Sequence, residues 1–199
     1  MTFAPLLLAT ALSMTGVLPI GKPAPESTTK MKNAVDGKLK AVSIADVTGT
    51  AGTLVVFTCD HCPFARGWEG RIVELGNAYV KKGVGVILIN ANDPSEHEED
   101  GFAGMQARAK SANMQFPYVV DETSNVARAF GATVTPEVFL FDRHGKLAYH
   151  GAVDDNRKEP EKVQNHYLKE ALDAVVSGKL PAVPETKSLG CGIKYRPSS

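Results

Sequence analysis

Two runs of the chain, "TLVVFTC" (53 to 59) and "VGVILIN" (84 to 90), are apolar almost throughout and rich in β-branched residues. That pattern predicts strands buried on both faces. Between them the period changes. Phe64, Trp68, Ile72, Leu75 and Tyr79 recur at steps of three and four from Pro63 onward, which predicts a helix with one apolar stripe. Pro63 suits its first turn, where the missing N–H is no loss, and "KKG" ends it with cations and Gly83. Strand, helix and strand at this spacing form a βαβ unit with parallel strands.

Upstream, "KMKNAVDGKLKAVSI" reads as a hairpin turning at Asp36-Gly37. Downstream come a helix around "GFAGMQARAKSANM", a short strand "PYVVD" and a helix around "TSNVARAF". "EVFLFD", "RHGK" and "LAYHG" follow as strand, turn and strand, and a last helix runs from about Glu161 to Val176. Residues 18 to 180 therefore make one α/β domain, and 181 to 199 a C-terminal tail. The first 17 residues hold an apolar run from Phe3 to Leu12, too short to span a bilayer. Small residues at Ala11 and Ser13 make it resemble a secretory signal peptide, although no Lys or Arg precedes the run. The expected location is periplasmic or secreted, and otherwise cytoplasmic.

Lys and Arg number 22, as do Asp and Glu. A neutral chain argues against nucleic acid or an anionic membrane surface as the main partner. The densest acidic stretch, "EHEED" (96 to 100), reads as a solvated turn and helix start.

Three cysteines are too few for a disulfide framework, so attention falls on Cys59 and Cys62, two residues apart at the corner between strand and helix. A helix N-terminus stabilises a thiolate, the reactive form of cysteine. Cys59 is expected to be exposed and to attack a disulfide, and Cys62 to be more buried and to resolve the mixed disulfide. His61 between them favours the thiolate. Two core thiols or a metal site are the competing readings. No second cysteine pair and no ligand spacing among the histidines supports a metal.

These pieces, with "VVFTCDHCPFA", "NANDPSEHEEDGFAGMQARA", "FPYVVDETSNVARAFGATVTPEVFLFD", "YHGAVDDNR" and "PETKSLGCGIKY", resemble the thioredoxin superfamily, and within it the redoxin or AhpC/TSA-like branch. The resemblance spans about residues 18 to 195. It implies a thioredoxin-like fold: a central mixed sheet flanked by helices, an N-terminal hairpin and a helix-strand insertion before a cis-proline. It places Pro136 as that cis-proline facing the cysteines, and Thr135 as the residue whose backbone pairs with an extended substrate.

The chain also departs from its relatives. Thr58 and Asp60-His61 stand where thioredoxin has Trp and Gly-Pro, and the buried proton-relay Asp of thioredoxin has no counterpart in the first strand. Glu137 is either its substitute or a solvated or salt-bridged carboxylate. Peroxiredoxins carry a hydroxyl residue three positions before the peroxidatic cysteine, which aligns with Cys62; here that position is Cys59. Cys191 in the tail reads as a small apolar plug, with a resolving or relay thiol as the alternative.

The resemblance thus implies a thiol-disulfide oxidoreductase whose redox group is its own Cys59-Cys62 disulfide, with no cofactor and no metal. Its partners would be protein or small-molecule disulfides and thiols and an electron-donating reductase. A thiol peroxidase and a non-enzymatic binding module are the alternatives.

Overall fold

The computed structural model describes residues 16–36 and 39–197. The leader-like segment lies almost entirely outside the described residues, as does Gly37 of the expected hairpin turn. Seven strands form the central sheet, in the order β2-β1-β5-β4-β3-β7-β8. β3 (Gly52–Phe57) lies inside it, parallel to β4 (Val84–Asn90) on one side and antiparallel to β7 (Glu137–Asp142) on the other. β5 (Tyr118–Val120) continues the parallel part beyond β4, and β8 (Leu147–Gly151) closes the other edge against β7.

The N-terminal hairpin is present, with β1 (Met31–Asn33) antiparallel to β2 (Ala41–Val42). The connection between them, which contains the expected turn residues Asp36 and Gly37, lies partly outside the described residues. Met31 pairs with Val42 and Lys32 with Ala41, and Asn33 N–H donates to Lys40 O at 2.9 Å, so the chain makes a longer loop. The Asn33 side chain steadies it, donating to Leu39 O and accepting from Val35 N–H.

Period-two alternation along β3 sorts the core into two layers. Leu54 and Val56 face one way, packed with Trp68, Ile72 and Tyr79 of α1 (Pro63–Val80), Met105 and Ala109 of α2 (Phe102–Ser111), and Leu168 and Leu172 of α4 (Tyr167–Val176). Val55 and Phe57 face the other way, toward Val126 and Phe130 of α3 (Asn125–Phe130). There Phe57, Phe130 and Phe139 meet edge to face with centroids 5.1–5.7 Å apart. Truncating one of these side chains to Ala would cost about 3–5 kcal/mol.

The last helix begins at Tyr167 rather than near Glu161. Pro160 opens only a single 3-10 turn. Asp155 then accepts from the backbone N–H groups of Gln164 and Asn165, which holds this stretch as a loop. The tail is also more ordered than a tail implies: β9 (Cys191–Gly192) pairs antiparallel with β6 (Val134–Thr135). Among the described residues, no helix is long and apolar enough to cross a membrane.

Candidate active site

β3 ends at Phe57, and Thr58 N–H still donates to Ile89 O at 2.9 Å, so the strand delivers the next residues to the C-terminal edge of the parallel sheet. Five residues after Thr58, α1 begins. Cys62 is its N-cap, with extended φ −71° and ψ 122°, and Pro63 takes the first helical position. Arg66 N–H makes the first helical bond to Cys62 O at 2.9 Å. Cys59, Asp60 and His61 thus form a short loop between a fully buried strand and an 18-residue helix.

Across from this corner, the Thr135–Pro136 bond is cis, as the resemblance implies. Thr135 touches both sulfurs: its Oγ1 lies 3.1 Å from Cys59 Sγ, and its carbonyl oxygen 3.3 Å from Cys62 Sγ. Both cysteines are free and reduced. The expected contrast in exposure is absent: Cys59 is only 3% exposed and Cys62 fully buried. Thr135 and the tail strand cover the side from which Cys59 was expected to be open.

The two thiols titrate as a unit. Cys62 is held down to about 4, chiefly by a hydrogen bond from the Cys59 thiol, against its own burial; the Cys191 thiol and Ala65 N–H also favour the anion. Ala65 is the third residue of α1, the usual donor to an N-cap group. Cys59 is correspondingly raised, first by its bond to Cys62 and then by burial. Cys191 is raised to about 11 by burial and by the neighbouring Cys62 sulfur. The anion therefore rests on Cys62, between two thiols.

The loop itself is held by Asp100, which the sequence reading placed in a solvated turn. Asp100 is buried, and its Oδ1 accepts from Asp60 N–H at 2.6 Å and His61 N–H at 3.2 Å. Its Oδ2 meets His61 Nδ1. His97 stacks on the outer face of His61 at 3.9 Å. Asp60 is buried as well; Tyr118 Oη donates to its Oδ1 at 3.1 Å, while Oδ2 has no partner. Burial, and then the nearby Asp100 carboxylate, push it up to about 6 against the Tyr118 bond.

Cys59, His61 and Asp100 place ligand-type atoms within 4.8 Å of one another. Both Asp100 oxygens in this group are already engaged in hydrogen bonds within the loop. The arrangement is accounted for as a clamp on the Cys59–Cys62 turn.

Glu137 does not contact either sulfur. Its Oε2 accepts from Thr133 and Val134 N–H at 2.8 and 3.2 Å, and Oε1 pairs with His150 Nε2 at 2.7 Å. It is a buried, hydrogen-bonded carboxylate, and it shapes the turn that presents Thr135. Trp68 is core, donating from Nε1 to Asp154 Oδ1 at 2.7 Å. Asp100, Asp60 and Tyr118 were missed in the sequence because they come from separate elements. The one available signal was an Asp among glutamates immediately before α2.

The comparisons agree with this fold. A crystal structure of an uncharacterized conserved protein from Geobacillus kaustophilus superposes with a TM-score of 0.82 at 38% identity, covering 91% of this chain and 94% of that one. A thioredoxin-like protein solved in its oxidised form matches with a TM-score of 0.63 at 18% identity, covering 81% and 99%, which establishes the likeness of fold. The thiol-disulfide oxidoreductase ResA of Halalkalibacterium halodurans is 25% identical over 108 residues, 54% of this chain and 57% of its own length. The match thus covers little more than half of that relative. The AhpC/TSA family model matches residues 20–150, and with the thioredoxin-like architecture around the cysteine corner, the chain belongs to the AhpC/TSA family.

Proposed function

We propose that the protein is a thiol-disulfide oxidoreductase using Cys59 and Cys62 as its redox pair. One observation carries this reading: both sulfurs lie on Thr135 at the N-terminus of α1. In the reduced protein the Cys59 thiol donates to the Cys62 thiolate. Moving that proton onto Cys62 leaves Cys59 as the nucleophile. Its thiolate attacks one sulfur of R–S–S–R′, forming Cys59–S–S–R and releasing R′–S⁻. The departing thiolate takes the Cys62 proton, and Cys62 then attacks Cys59 Sγ. The products are the Cys59–Cys62 disulfide and R–S⁻: two electrons have passed from the pair to the substrate.

The name of the ResA relative supports the reaction class. Substrates and an electron-donating reductase remain those expected from the sequence. The reading extends to a periplasmic or secreted location, where a dedicated donor would keep the pair reduced.

The test is stopped-flow oxidation of the reduced protein by oxidised glutathione and, separately, by hydrogen peroxide, with Cys59→Ser and Cys62→Ser alongside. Rapid thiol loss with the disulfide, abolished by Cys59→Ser, and peroxide reaction no faster than an ordinary thiol are expected. Peroxide reduction far above a free thiol would overturn the reading in favour of the peroxidase.

A further inference from the structure

The tail strand occupies the edge where a substrate would have to pair. β6 is only Val134–Thr135, and any strand added to it brings a side chain beside the two sulfurs that Thr135 touches. Here the added strand is β9, with Thr135 opposite Cys191 and Val134 opposite Gly192. The residue delivered to the sulfurs is thus itself a cysteine. Its side chain packs on the cluster of Cys59, Cys62 and Ala65. Burial and the neighbouring Cys62 sulfur raise its pKa while the Phe64 N–H lowers it, so α1's first turn acts on both sulfurs.

The placement is held from both sides. Before Cys191, Thr186 N–H donates to His150 O at 3.0 Å and its Oγ1 meets Tyr149 Oη at 2.7 Å. After it, Lys194 N–H donates to Asn92 Oδ1 at 2.8 Å and Arg196 N–H to Ser124 Oγ at 2.9 Å. Gly190 permits the close approach: a Cβ there would come 2.2 Å from Thr135 O.

We infer that β9 is a tethered internal substrate and Cys191 a third redox thiol, which exchanges with Cys62 to give a Cys62–Cys191 disulfide in place of Cys59–Cys62. The inference rests on the oxidoreductase reading above. In the exchange the Cys191 thiolate attacks Cys62 Sγ, the Cys59–Cys62 bond breaks, and Cys59 leaves as a thiolate that takes up the proton Cys191 gave. No net oxidation occurs. The disulfide now ends on Cys191, half-buried where the other two sulfurs are enclosed. A donor dithiol attacks Cys191 Sγ and expels Cys62, whose stabilised thiolate is the better leaving group. The donor's second thiol then attacks its own sulfur in the mixed disulfide, freeing Cys191 and leaving the donor oxidised.

The experiment is disulfide mapping by acid quench, alkylation and mass spectrometry after equilibration with oxidised glutathione. Cys59→Ser is expected to lose both remaining thiols, release two glutathiones for each oxidised glutathione consumed, and yield a Cys62–Cys191 cross-linked peptide. A Cys59→Ser protein that stops as a stable glutathione adduct on Cys62, with Cys191 free, overturns the inference. Gly190→Val keeps all three thiols but displaces β9; in the Cys59→Ser background it should lower the cross-link yield about tenfold, because the tether's effective concentration is lost. An unchanged yield would also overturn the inference. Should Cys59→Ser not fold, wild type mapped at half oxidation must show the Cys62–Cys191 peptide, and its absence counts against the proposal. Wild type that forms Cys59–Cys62 readily while Cys59→Ser stalls defeats this inference alone. Wild type that fails to react with oxidised glutathione defeats the oxidoreductase reading itself.

Discussion

Replacing Glu137 by Ala and by Gln separates scaffold from proton relay. The carboxylate is buried and receives two backbone N–H groups and His150 Nε2. Hydrogen bonds to charged groups contribute about 1.5–3 kcal/mol each, and breaking a buried pair by removing one partner costs about 3–5 kcal/mol. Glu137→Ala strands all three donors, so a loss of about 4 kcal/mol is expected. For a chain of this size that corresponds to a fall in Tm on the order of 10 °C. Glu137→Gln keeps an acceptor for the amides of Thr133 and Val134 and gives up the charge, for a loss of about 1–2 kcal/mol. The assay is urea unfolding of the three reduced proteins, paired with the pH dependence of exchange with oxidised glutathione. The Gln variant should keep the wild-type pH profile at reduced stability. A profile that shifts in Glu137→Gln, or an Ala variant within about 1 kcal/mol of wild type, refutes the argument that this residue only shapes the Thr135 turn.

Three other outcomes follow from the site. Asp60 has its folded pKa raised to about 6 from 3.8 by burial. The folded state therefore binds its proton more tightly than the unfolded chain, and the stability this provides is present below 3.8 and lost as pH rises through about 6. Asp60→Asn should accordingly be neutral in stability near pH 3.8 and gain up to about 3 kcal/mol above pH 6, read by urea unfolding at the two pH values. With Cys62 held down to about 4, the reduced protein should keep one thiolate, seen by absorbance at about 240 nm, down to about pH 5. Cys62→Ser should abolish it, and a titration confined to alkaline pH would count against the charge placement. Asp100→Ala removes the shared acceptor of Asp60 N–H, His61 N–H and the His61 ring. It should cost about 3–5 kcal/mol and speed proteolysis within the 58–63 loop; cleavage at the wild-type rate would show that the clamp is not needed.

The parts legible in the sequence are those governed by local pattern. β3, α1 and β4 fall where apolar runs and helical spacing placed them, because each element buries what its own residues present. The start of α4 was misplaced because helical periodicity says nothing about Asp155, which ties down the preceding loop from outside.

The site divides along the same line. The corner that holds Cys59 and Cys62 was legible because strand, corner and helix are contiguous, whereas their burial was not, because what covers them arrives from residues 135 and 191. Asp100 illustrates the limit most sharply. In "EHEED" the one carboxylate that matters has the same charge and nearly the same size as three that face solvent, and only the fold turns it toward the Cys59–Cys62 loop. What distinguishes it is where the end of β4 releases the chain: Asn90 reaches back to Asp100 O, bringing this stretch beside the end of β3. A buried carboxylate in this position has to be satisfied by donors, and the backbone amides of the Cys-x-x-Cys turn are such donors. The loop needs an acceptor from elsewhere as much as the carboxylate needs the loop, so the two elements specify each other. Neither half of that bargain is written in its own local sequence.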